Sequence, residues 1–586
     1  MFWVAATGDR LRLHALVVRE TVRSALSLAG SLALRIFPTP ARAPERLLVA
    51  PQDLRTADPT LAADYYAGRF AFAGRMVETR GSSPFGVSPP SQAWDEELCG
   101  FGWLRHLRAA NTDIARAHAR SLVDDFLRHD GDRRGGGALP RVVSRRLISF
   151  LSQAPLLLEG ADRAFYLRFM RTVGRSLAQL RAAAGPDVAA DDQLLIAIAQ
   201  SFASLCVAAP SRSQTRTDAT LGSLLGEHVL QDGGHVSRNP RRLIELLADL
   251  LPLRQVYATR GMEPPLALIT AIDRMMPMLR LFRHEDGAIA LFNGMGESAP
   301  DLLATVLAYD DAHARPMTHA PWSGYERMTA GRTLVIADVG APPPRSFSAE
   351  AHAGCLSFEM SVAGSMMVVN CGASPVDSAA ARLAARSTAA HSTVTVEDTS
   401  SCHFAGAPRG DRLAAWLERL LGPVILAGPV NVKAEHGGDA SGHALTASHD
   451  GYFPRHGVVH ERQWRLSSQG EQLAGLDRLV KSASGRVSAV IRFHLHPAVD
   501  VAPEEDGMAV SLRLPDGQFW RFEAPGHVVH IEESVWFAAP GGARASRQLV
   551  IDMTAPERTA STEIAWRFVR EGWEGGAPGQ DQRSAP

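Results

Sequence analysis

Cysteine is scarce here: Cys99, Cys206, Cys355, Cys371 and Cys402 are five among 586 residues, and no two stand in a C-x-x-C spacing. That argues against a zinc-ribbon module and a disulfide-stapled scaffold, and leaves most of these thiols as small buried apolar groups. Charge of one sign is not in excess either. Lys and Arg number 61 against 62 Asp and Glu, so no global field favours nucleic acid as a partner, and a polyanion site would have to be local. Long apolar runs are also missing. The early stretch Ala25 to Leu34 follows Arg19, Glu20 and Arg23 and ends at Arg35. It is too short to span a bilayer and has no small-residue cleavage site after it, so it reads as an amphipathic helix rather than a transmembrane segment or signal peptide. The chain shows no fixed short repeat, which disfavours a strict solenoid.

What is present is a globular composition, with 46% hydrophobic and 21% charged residues in a chain long enough for two large domains. From Trp94 to Leu303 the apolar residues recur at helical steps, as in Leu104, Leu107, Ile114 and Ala115, then Leu122, Phe126 and Leu127. Further helical stretches run from Arg145, Ala164, Asp192, Leu221, Pro240 and Pro265, separated by short Gly, Pro or Asp breaks. Beyond Trp322 the texture becomes short β-rich runs, among them Tyr325 to Met328, Thr333 to Asp338, Leu356 to Val362, Val458 to Leu466 and Gln548 to Met553. Their alternation of apolar and polar residues is that of antiparallel sheets packed on one face, and their number suggests a sandwich. The expected organisation is a helical extension over residues 1–93, an α-helical domain over 94–304, a β-sandwich over 305–571 and a disordered tail over 572–586, an α+β multidomain chain.

Two histidines sit in the strand-like part. His352 lies in Glu350 to Glu359, ahead of Ser357-Phe358, and His391 lies in Arg386-Ser387-Thr388-Ala389-Ala390-His391-Ser392-Thr393, after a strand that ends Val369-Asn370-Cys371-Gly372. This arrangement resembles the C-terminal half of the heparinase II/III family of polysaccharide lyases. The resemblance implies an N-terminal incomplete (α/α) toroid facing a C-terminal antiparallel β-sandwich across a cleft. It also implies a carbon–oxygen lyase that cleaves an acidic, uronate-containing polysaccharide, such as a glycosaminoglycan, by β-elimination. The alternative on the same scaffold is a non-catalytic glycan-binding or envelope-polysaccharide-processing protein, because a fold alone does not choose between them. Periplasm or cell envelope is the location the family implies; the lack of a clear signal peptide points to the cytoplasm.

Elimination next to a carboxylate needs a group that neutralises the carboxylate, a base for the neighbouring proton and an acid for the departing oxygen. By the resemblance, His352 takes the place of the catalytic sandwich histidine. His391 matches a second family histidine that binds a metal in some members, which leaves room for a structural Zn²⁺, although Asn370 stands where a carboxylate ligand is expected. Gln231 to Arg242 resembles a family segment in which D-G-G and S-P are followed by a catalytic Tyr, and Arg242 occupies that Tyr position. Arginine does not exchange protons near neutral pH but can grip an acidic group with two hydrogen bonds. Arg242, His235, Arg238 and Tyr325 are therefore the expected substrate-binding residues. The family's Asn or His position falls near Asp191 and Asp192. His494 and His496 stand at strand spacing on one face and read as strand residues, with chelation of a metal as the other reading, and His460-Glu461-Arg462 and Leu476-Asp477-Arg478 read as strand pairs with ionic partners on a solvated sheet face.

Overall fold

In the computed structural model the described residues are 17–19, 21–22 and 43–572, apart from 130–134, 186–187, 209–210, 310–314, 375–377, 406–411, 483, 506 and 540. The apolar stretch from Ala25 to Leu34 and the tail after 572 lie outside them. No helix among the described residues is long and apolar enough to cross a membrane.

The helical half follows the periodicity. Side-chain caps start its helices: Ser91, Thr112 and Asp162 each accept a backbone N–H three residues on, opening Gln92–Gly100, Asp113–Arg128 and Arg163–Ala183. Pro140–Ser152, Ala190–Cys206, Ser211–His228, Pro240–Thr259 and Leu266–Leu281 pack on one another as helical hairpins in an incomplete (α/α) toroid. Among the described residues of 1–93, expected as a helical extension, Leu61–Tyr66 is a helix and a short strand pair follows it. Arg69–Phe72 and Arg75–Glu78 form an antiparallel hairpin, and Phe70 and Phe72 join Tyr65, Trp94 and Trp103 in the helical core. Ala73 and Gly74 turn that hairpin with positive φ, a local geometry that helix periodicity does not register.

Among the described residues the C-terminal half is built on two large antiparallel sheets, beside a two-stranded one of His403–Phe404 and Ile425–Ala427. One, of eight strands, runs across Val432–Asp439, Gly442–His449, Val458–Ser467, Gln472–Lys481, Ser561–Arg570, Phe519–Glu523, Ala509–Arg513 and Asp500–Pro503. The other has nine strands, with Thr333–Asp338, Phe358–Val362, Ser365–Val369 and Val487–Leu495 at its middle and His319–Ala320 at one edge. Phe358, Trp464, Phe493, Phe522, Trp566 and Phe568 fill the space between them. The helical core continues into this half, since Tyr325, Leu334 and Ile336 belong to it. All five cysteines are buried free thiols.

The expectation of ionic partners on a solvated face holds for Glu461 and Arg478 and is inverted for their neighbours. His460, Arg462 and Asp477 are fully buried rather than solvated. In the register of Val458–Ser467 against Gln472–Lys481, Glu461 pairs with Arg478 on the outer face, and the period of two turns the flanking residues inward. Arg462 meets both oxygens of Asp477 at 2.7 and 2.8 Å, while His460 Nε2 and Trp566 Nε1 donate to the same carboxylate at 2.7 and 2.8 Å. Burial opposes ionisation of Asp477, but Arg462 and His460 outweigh it and hold its carboxyl well below the usual range.

Candidate active site

The D-G-G turn docks the two halves. One carboxylate oxygen of Asp232 accepts the backbone N–H groups of Trp322 and Ser323 at 2.9 and 2.7 Å and the Ser323 hydroxyl at 2.9 Å. Gly233 has φ +87°, and a Cβ there would lie 1.9 Å from the carbonyl oxygen of Arg274, so the position requires glycine. The motif is explained here by packing.

Arg238 and Tyr325 extend the same junction and do not line a groove. The guanidinium of Arg238 is buried against Asp338 and donates to the carbonyls of Ser323, Gly340, Ala341 and Gly324 at 2.6 to 3.1 Å. It also lies over the ring of Tyr325, with 4.7 Å to the centroid. The Tyr325 hydroxyl donates to the carbonyl of Arg238 at 2.6 Å and accepts from Asn293 Nδ2 at 2.7 Å, inside a fully buried site. Burial pushes its phenol far above the ordinary value, so it cannot stand in for a proton-exchanging tyrosine. Every donor of Arg238 that could grip a sugar is spent on backbone carbonyls or on Asp338. Both expected substrate contacts are thereby corrected to interdomain fastenings.

His352 and His391 come together. His352 Nδ1 lies 3.0 Å from His391 Nε2, and His391 Nδ1 lies 2.8 Å from the carbonyl of Ser387. A carbonyl only accepts, so Nδ1 of His391 carries the proton and Nε2 its lone pair. His352 must then donate through Nδ1, which leaves its own Nε2 unprotonated and, among the described residues, without a protein partner. Burial, with His391 and Arg386 adding to it, holds His352 well below the usual histidine pKa, and burial takes His391 down to about 4. Both imidazoles are neutral near pH 7.

The loop bearing His352 is held on several sides. Arg386 donates to the carbonyls of Ala351 and Ser348 at 2.7 and 2.9 Å, and the Thr388 hydroxyl donates to that of Ala353 at 2.8 Å. Arg462, reaching out of the sandwich core, donates to the carbonyls of Leu356 and Ser392 at 3.0 and 2.7 Å, one beyond each histidine. Asn293 accepts the backbone N–H of His352 at 3.2 Å while donating to Asp338 at 3.0 Å. Sequence reading missed Asn293. Its signal was the Asn293-Gly294 pair, whose positive φ values mark a turn.

Arg242 does stand beside the His352 loop, but its charge is already met. Glu245, Glu350 and Asp191 approach it at 3.0, 3.2 and 3.6 Å. Burial disfavours the charged guanidinium, yet Glu350, Glu245 and Asp191 together hold its pKa above the ordinary value. Glu350, which sequence reading did not single out, also accepts from Asn239 Nδ2 at 3.0 Å. Burial raises the carboxyl pKa of Asp191 despite Arg242.

The metal expected at His391 does not fit the donor set. Both of its ring nitrogens are engaged by protein groups, and Asn370 accepts the N–H of Ser392 at 3.1 Å while its own N–H donates to Glu359 at 2.9 Å. His228, His235 and Asp191 also place donor atoms within 4.8 Å of one another. There the backbone N–H of Ser237 donates to His235 Nδ1 at 3.2 Å, so its Nε2 carries the proton toward His228 Nδ1 at 3.3 Å. That nitrogen would have to be stripped of its proton to hold an ion, and the pair closes without one. His235 is buried under Phe347 and is corrected from groove lining to an interior group. His494 is likewise structural, with Ser534 at 2.8 Å and the carbonyl of Ala389 at 3.0 Å on its two nitrogens.

Comparison with known proteins bears on this geometry. The description "Heparinase II/III-like, C-terminal" matches residues 312–567. The FtsZ-localized protein C of Caulobacter vibrioides (strain NA1000 / CB15N) is 33% identical over 548 residues, covering 90% of this chain and 91% of that protein. Two solved structures share the fold at low identity. Heparinase III superposes with a TM-score of 0.67 at 12% identity, over 97% of this chain and 92% of its own. A mutant of the heparan sulfate lyase HepC from Pedobacter heparinus gives 0.63 at 14%, over 94% and 88%. With its toroid, its sandwich and the paired histidines of the sandwich motifs, the chain belongs to the heparinase II/III family.

Proposed function

We propose that this chain is a glycan-binding or envelope-polysaccharide-processing member of the family that does not carry out β-elimination on uronates, and that it localises with FtsZ as its relative's name says of that protein. The observation that carries this reading is the environment of Arg242. An incoming uronate carboxylate would have to displace Glu245, Glu350 or Asp191 from the guanidinium, and would meet carboxyl groups where a neutralising residue is needed. The proton-exchanging tyrosine of the family is replaced as well. A single histidine then has neither an acid partner nor a neutralised substrate to act on.

One observation favours elimination instead: the tautomer of His352 leaves a lone pair on Nε2, as a general base requires. A panel of uronate-containing polysaccharides separates the two readings. The expected result is no unsaturated product by ultraviolet absorbance; product that disappears in His352→Ala would establish the lyase. The association with FtsZ is tested by pull-down of the full chain with purified FtsZ, where no retention would refute it.

A further inference from the structure

A carboxylate is buried at a sheet edge where, among the described residues, imidazoles meet it. His319 and Glu326 are directly opposed in the register of His319–Ala320 against Tyr325–Ala330, and their side chains are hydrogen-bonded through Nδ1 and Oε1. Glu326 is 5% exposed, whereas the side chain of His319 is 40% exposed. His436 comes from elsewhere: it lies on Val432–Asp439, the outermost strand of the eight-stranded sheet, and its ring centroid is 4.3 Å from that of His319. A nitrogen from each histidine and a Glu326 oxygen lie within 4.8 Å of one another.

From this juxtaposition we propose that His319, Glu326 and His436 form a binding site for a borderline divalent transition ion, with Zn²⁺ as the representative, at the seam between the edge strands of the two sheets. Two imidazoles and a carboxylate are a donor set that Zn²⁺ takes with an open fourth position for water. Donors around a tetrahedral ion with bonds of 2.0–2.1 Å stand about 3.3 Å apart. Donor atoms already within 4.8 Å of one another stand at most about 1.5 Å beyond that spacing. The carboxylate supplies the second reason. A buried negative charge must be compensated, and among the described residues it is His319 and His436 that face this one. An ion compensates the carboxylate without needing a proton on either ring. It would also fasten Val432–Asp439, an outermost strand with most of its residues exposed, to the facing sheet.

The full chain, stripped with chelator and dialysed, is titrated with Zn²⁺ and separately with Co²⁺. One equivalent of Zn²⁺ bound at micromolar concentration is expected, with visible Co²⁺ absorption of a low-coordinate nitrogen–oxygen site. His436→Ala and Glu326→Gln should each weaken uptake at least tenfold and abolish the Co²⁺ bands. His530→Ala, an exposed histidine on the opposite edge of the same sheet as His319, should leave both unchanged. Circular dichroism of the metal-free variants separates loss of the site from loss of the fold. No uptake by the unmodified chain, uptake that survives His436→Ala and Glu326→Gln, or equal loss in His530→Ala would overturn the proposal.

Discussion

His352 donates a hydrogen bond from Nδ1 to His391 Nε2 across 3.0 Å, and His391 donates one from its own Nδ1 to the carbonyl of Ser387. One backbone oxygen thereby sets the tautomer of two buried rings. The second histidine orients the first, which is a task the metal in other arrangements would perform by charge.

Removing the orienting partner leaves a buried donor unpaired. His391→Ala should destabilise the protein by about 1–3 kcal/mol, the desolvation penalty of an unsatisfied buried group. Urea unfolding at pH 7.5 measures it, and an unchanged midpoint would show that His352 Nδ1 finds another acceptor.

Burial depresses the buried imidazoles, with His391 and His228 at about 4 and His494 at about 3. The unfolded chain, with histidines near 6.5, then binds more protons between those values, so stability falls as pH drops from about 6.5 toward 4 and is flat above. One such histidine contributes about 2 kcal/mol of loss by pH 5. Melting temperatures measured from pH 7.5 to 5 should decline, and less steeply in His391→Gln.

The two faces of one strand pair should respond differently. Arg462→Met leaves Asp477 buried without its main counter-charge and should cost about 3–5 kcal/mol. Arg478→Ala, one residue from Asp477 but on the outer face with Glu461 and Glu563, should cost less than about 1 kcal/mol. Equal losses would refute the inward placement of Arg462.

Tyr325→Phe removes a hydroxyl that both donates to Arg238 and accepts from Asn293. Stability should drop by about 1–3 kcal/mol while affinity for any bound glycan is unchanged. A changed affinity at unchanged stability would return Tyr325 to the binding surface.

Much of this architecture was legible. Helical spacing around Leu104, Leu107, Leu122 and Phe126, and alternation in Val458 to Leu466, place the helices and strands because local period follows from backbone geometry. Legibility stopped where function and packing share residue types. Arg238, His235 and Tyr325 look polar and available in the chain, yet the hydrogen-bonding groups of Arg238 and Tyr325 are consumed by partners that only the docked domains supply, and those of His235 by Ser237 and the ring of His228 within the helical half. His460, Arg462 and Asp477 were misread for a related reason: a period of two states that alternate residues face opposite ways, but not which way is inward.

The order of helices before strands and the absence of a family tyrosine at Arg242 are written in the amino acids, since each depends on near neighbours or on side-chain identity alone. Folding in space decided which charges are already neutralised. Asp191 and Glu350 converge on Arg242 from other elements, and His391 meets His352, through contacts whose energies depend on distance and burial rather than on position along the chain.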